Sequence, residues 1–119
     1  MRKKPEGSPP YKETWYIFGA ELSEEESPEG ALVKWLKDNV GIEVDVKERL
    51  GWDWEVKVDH DQKEKVFVYL DVLLDYKSGT ARTPEGAEKI AWIPIDGLSK
   101  YDVVPPSVTL FKKLGYLSD

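Results

Sequence analysis

The sequence predicts an α/β chain in which helices pack on a mixed sheet. Three observations carry that reading. The element order is strand, helix, strands, strand, helix, which suits a sheet with helices laid against it. Apolar residues recur at Ala31, Leu32, Trp35, Leu36 and Val40, a helical spacing. From Ile42 onward the pattern turns to alternation, then to a nearly continuous apolar run at 66–74.

Each element has a local cause. Residues 1–10 are basic, then rich in Gly, Ser and Pro, and read as a loop or frayed end, with 1–12 expected to be flexible. Residues 13–18, Glu-Thr-Trp-Tyr-Ile-Phe, are β-branched and aromatic and read as a short strand. An acidic loop follows, carrying Glu21, Glu24, Glu25 and Glu26. Ser27 can cap a helix, Pro28 suits its first position and Glu29 favours its positive end, so a helix is predicted over 28–40. Gly30 weakens its first turn, and Gly41 ends it in a left-handed cap.

Ile42, Val44 and Val46 alternate with charged residues and read as a strand. Residues 50–58 continue as strand, with Trp52, Trp54, Val56 and Val58 on one face, expected to pack on a helix. Asp59-His60-Asp61-Gln62-Lys63 is a polar hairpin tip, with His60 expected in solvent. The run 65–76 is apolar enough to predict a central strand buried on both faces. A turn-rich loop leads to a strand at 89–93. Pro105-Pro106 opens a last helix with Val108, Leu110, Phe111 and Leu114 on its apolar stripe and Gly115 as its cap.

The chain is one domain's worth, 119 residues, read as a single domain over 1–119. Its net charge is -6, so a bulk electrostatic grip on nucleic acid is not expected. No cysteine is present, which excludes disulfides, thiolate metal sites and a cysteine nucleophile. With one histidine, no multi-histidine site can form. No apolar run approaches the ~20 residues of a membrane span, and no apolar stretch follows the basic start. A cytoplasmic location is expected, with no membrane partner.

Residues 19–42 resemble the Nudix box of the Nudix hydrolase family, G-x5-E-x7-R-E-U-x-E-E-x-G-U with U a bulky aliphatic residue. Glu26-Ser27-Pro28-Glu29, Ala31, Leu36 and Gly41-Ile42 hold that frame in register. Outside it, residues 14–20 resemble the family's T-W-x-x-P-G-G segment, and Trp92-Ile93-Pro94-Ile95-Asp96-Gly97-Leu98 resembles W-V-P-L-D-E-L. Residues 102–114 resemble the closing helix of MutT-like and ADP-ribose-pyrophosphatase-like members. The resemblance implies a Nudix-like α/β/α sandwich with a mixed sheet. The family begins with a further strand ending in a basic segment, and Met1-Arg2-Lys3-Lys4 sits where that segment ends. A sheet lacking its first strand, or a chain cut there, is therefore expected. An unpaired edge invites a second chain, so a homodimer is expected on that ground.

The catalytic positions depart from the family's pattern. The first glycine of the box falls on Ala20, its Arg-Glu pair on Lys34-Trp35 and its Glu-Glu pair on Asp38-Asn39. Cleavage of a diphosphate bridge needs Mg²⁺ held by hard oxygen ligands. In the family three glutamates on one helix face supply most of them. Trp35 offers no oxygen, Asn39 a neutral amide and Asp38 a shorter carboxylate, while Lys34 lacks the planar fork of arginine. The expectation is a Nudix fold with its chemistry disabled, either an engineered scaffold or a natural pseudoenzyme. It would act by binding or self-association through the altered face, with Phe18, Trp35, Asn39, Trp52 and Trp54 as binding candidates. Its partners would be a second copy, another protein or a nucleotide-like small molecule.

The alternative is a weak Mg²⁺-dependent nucleoside diphosphate-X pyrophosphatase. Glu26 and Asp38 would then hold the metal, with Glu85 or Glu88 as further catalytic acids. No cofactor is expected, except Mg²⁺ if activity remains. A third reading is an inert domain that self-associates through an exposed apolar patch.

Overall fold

The computed structural model describes residues 1–5, 7, 11–22, 24–59 and 61–118. The chain mixes helices with antiparallel strand pairs. It divides into two compact units, Met1–Phe18 with Thr83–Asp119, and Gly19–Arg82.

The first unit is built on three short strands, β1 (Arg2–Lys3), β2 (Trp15–Tyr16) and β5 (Lys89–Ile90), in the order β2-β1-β5. Both pairings are antiparallel, Lys3 lying opposite Trp15 on one side and Lys89 on the other. Trp15 also makes a parallel bridge to Val103. The expectation of a loop or frayed end over 1–10 fails at Arg2 and Lys3, which are the middle strand. Their pairing rests on partners about a dozen and nearly ninety residues away, which no local pattern reveals. Trp15, Leu98, Val103 and Phe111 form the core, and Tyr101 meets the Trp15 ring edge-on at 5.2 Å. A 3-10 helix, Ile95–Lys100, supplies Leu98, and α2 (Pro105–Lys113) supplies Phe111. As expected, prolines open α2 and Gly115 follows it at φ 79°.

The second unit is a helix on a long hairpin. Helix α1 (Pro28–Asn39) starts where the sequence predicts, with the Gly30 amide donating to Ser27 Oγ at 3.0 Å. The Gly41 amide donates to the Leu36 carbonyl at 2.9 Å, and Gly41 itself has φ 84°. Gly79, φ 102°, passes so close to the Gly41 carbonyl that a side chain there would collide with it.

Strand β3 (Glu43–Val58) is continuous where two strands were expected. Register shifts near Val46–Glu48 and Arg49–Gly51, with Gly51 at φ 108°, absorb the break in alternation. Its only strand partner among the described residues is β4 (Glu64–Ser78), so β4 is not a central strand buried on both faces. Its apolar run divides between two faces of a ribbon. The even-numbered face carries Val66, Val68, Leu70, Val72 and Leu74, the odd face Phe67, Tyr69 and Leu73.

Helix α1 covers the base of this ribbon. Lys37 in its last turn pairs with Glu43 at 3.6 Å, and Glu29 in its first turn pairs with Arg49 at 2.7 Å. Twelve helical residues span about 18 Å, matching the ~20 Å of strand from Glu43 to Arg49. Leu36, Val40, Ile42 and Val44 are buried there. Beyond Arg49 the ribbon runs on without the helix. Asp59 and Lys63 close the tip, with Gln62 at φ 68°, and His60 lies outside the described residues. No helix among the described residues is long and apolar enough to cross a membrane.

Candidate functional site

One face of α1 holds Trp35, Asp38 and Asn39, placed together because they are separated by three and four residues. Asn39 and Trp35 are half-buried and Asp38 is exposed. The Asn39 amide donates back to the Trp35 carbonyl at 3.0 Å, so its nitrogen is turned onto its own helix. Glu26, half-buried just before the Ser27 cap, has its carboxylate 3.7 Å from Lys34 Nζ. Glu26 thus faces Lys34, one helical stretch further along the chain. Glu21, Glu24 and Glu25 are exposed.

The end of this helix is held by a residue that sequence reasoning does not single out. Arg82 Nη2 donates to the Asp38 carbonyl at 2.7 Å, and the Arg82 amide donates to the Val40 carbonyl at 2.8 Å. These bonds satisfy carbonyls that a helix end leaves without intrahelical donors. A guanidinium there also suits the negative end of the helix dipole. Nothing in the spacing of Arg82 signals this, since it is brought back by the whole length of the hairpin.

The other candidates are not on α1. Glu85, Glu88 and Phe18 belong to the first unit, whereas Glu26 and Asp38 belong to the second. Glu88 pairs with Lys3 at 3.4 Å and its amide donates to the Lys3 carbonyl at 2.7 Å, which ties the loop to β1. Glu85 is exposed in a turn that ends at Gly86, φ 88°. Phe18 lies 5.8 Å from the Arg2 guanidinium, which also stands 4.3 Å over the Tyr16 ring. Trp52 and Trp54 do not pack on a helix. They lie past Arg49, outside the stretch that α1 covers, and are 62% and 60% exposed.

On the odd face of the ribbon sits a cluster with no counterpart in the sequence reading. The Tyr69 hydroxyl donates to Glu55 Oε1 at 2.6 Å and accepts from Lys57 Nζ at 2.8 Å. Lys57 also stands 4.3 Å over the Phe67 ring. Burial, then the hydrogen bond to the Glu55 carboxylate, pushes the Tyr69 phenol above its ordinary value, so it stays a donor. The alternation of 55, 57, 67 and 69 was the available signal.

Among the described residues, no three His, Cys, Asp or Glu side chains converge as a metal ion would need. A scan against protein-family models finds no match, and a search of curated proteins finds none.

Proposed function

We propose that this chain is a binding protein on a Nudix-like α/β/α frame, its diphosphate-cleaving chemistry disabled. The observation that carries this reading is the donor set on α1. Where the box pattern has three glutamates on one helix face, the chain has Trp35, Asp38 and Asn39. Divalent magnesium wants several hard oxygens in near-octahedral order. Here one carboxylate remains on that face, and Asn39, whose nitrogen donates to the Trp35 carbonyl, can offer a cation only a neutral amide oxygen. Glu26, the other acid in register, has Lys34 beside it, a charge that competes with any cation. The donor set does not fit the metal. What α1 offers instead is an aromatic ring beside an amide and a carboxylate, a surface that suits stacking with directional hydrogen bonds. A nucleotide-like molecule or a protein side chain would fit it.

The test is turnover of ADP-ribose, a dinucleoside polyphosphate and nucleoside triphosphates, with and without Mg²⁺. The chain is expected to release no product. The double variant Trp35→Glu/Asn39→Glu, which restores two carboxylates, is expected to gain Mg²⁺-dependent activity. Turnover by the unaltered chain at an enzyme's rate would overturn the reading and leave a pyrophosphatase using Glu26 and Asp38.

A further inference from the structure

The end of the β3–β4 ribbon shows a row of large apolar side chains on one face. Directly opposed residues share a face, and here the pairs are Trp52 with Leu70, Trp54 with Val68 and Val56 with Val66. All six are exposed, Trp52 at 62% and Val66 at 64%, and Val58 extends the row. The same face is covered by α1 at the ribbon's base, because Arg49, which pairs with Glu29, lies opposite Val72 on the even face of β4. The apolar stripe therefore continues past the helix, which buries Val44 at the ribbon's base.

We propose that this face is an interface between two copies of the chain, stacked ribbon against ribbon about a two-fold axis. Three features favour that occupant. The side chains expose on the order of 700 Å² of largely apolar surface, close to the ~800 Å² each partner contributes to a stable interface. An ordinary monomer shows a largest patch of only ~300–600 Å². The second feature is charge. Each chain carries -6, so two copies repel wherever acidic surfaces meet. The three cross-strand pairs carry no charge, and face to face they set no like charges together. A partner of opposite charge would find nothing there to pair with. Third, a two-stranded ribbon is marginal in water by itself, and stacking two faces ~10 Å apart gives it a core. This association is independent of whether α1 turns over a substrate.

Sedimentation equilibrium of the full chain from about 1 to about 200 μM tests it. The expected species is a dimer, twice 13.6 kDa. The variant Trp54→Thr/Val68→Thr keeps β-branched residues in both strands and should retain its circular dichroism while weakening the dimer at least about thirtyfold. The control Trp92→Thr/Ile95→Thr removes exposed apolar surface from the first unit and should leave the dimer intact. A monomer throughout that range would overturn the proposal. So would a Trp54→Thr/Val68→Thr variant that stays dimeric, or a dimer lost only in the control. A chain that stays monomeric while Trp52 and Trp54 resist iodide quenching would mean that its own residues cover the face.

Discussion

Glu26 and Glu29 lie three residues apart and meet different cations. Glu29 takes the Arg49 guanidinium through both Nε, at 2.7 Å, and Nη2, at 3.3 Å, a fork that fixes geometry as well as charge. Glu26 meets Lys34 at 3.7 Å, a looser contact between half-exposed groups. Replacing Arg49 with alanine should cost about 0.5–1 kcal/mol in chemical denaturation, and Lys34→Ala less. At the ribbon tip Lys65 reaches Asp59 and Asp61, each at 2.9 Å. The hydrogen bond from Lys65, then that from the Lys63 amide, holds the Asp61 carboxyl below its ordinary 3.8. A depressed carboxylate adds stability above 3.8 that is lost as pH falls through the lower folded value. An NMR titration of Asp61 should therefore give a midpoint below 3.8, moving back toward it in Lys65→Met. At this scale the grouping of Trp35, Asp38 and Asn39 on one helix face was legible, because it is read directly off the spacing. Side-chain partners such as Arg82 on the Asp38 carbonyl were not, since they depend on where the chain returns.

Helix α1 is the most legible element, for local reasons. A serine cap, a proline at the first turn, a helical apolar period and a closing glycine all act within a few residues. Ser27→Ala should cost about 1 kcal/mol, read as a lower melting temperature, because the Gly30 amide loses its acceptor. Gly79→Ala should cost more, about 1–3 kcal/mol, since it combines a positive φ with a collision at the Gly41 carbonyl. That effect would appear in denaturant midpoint together with loss of hydrogen-exchange protection at the end of α1. The strands were less legible. Two-residue β1 has no period to read, and its place in the sheet depends on Trp15 and Lys89. The alternation break that suggested two strands at 42–47 and 50–58 is a pair of register shifts within one. The apolar run of β4 suggested burial on both faces, but a ribbon with one apolar face and one aromatic, hydrogen-bonded face has the same composition.

For the molecule as a whole, composition bounded the answer without naming it. The acidic balance and lack of cysteine removed whole classes of chemistry, and the resemblance of 19–42 to a Nudix box supplied an expectation that the donor set can be held against. The expected class, helices with a sheet, is met in its coarse form by helices and antiparallel strand pairs. The central claim is the proposal that the α1 face does not hold a divalent cation. Calorimetric titration of Mg²⁺ tests it most directly, using the chain beside Trp35→Glu/Asn39→Glu. The unaltered chain should show no saturable binding below about 1 mM, and the double variant should bind about tenfold tighter or more. Stoichiometric binding by the unaltered chain well below that concentration, lost in Glu26→Gln or Asp38→Asn, would contradict the account.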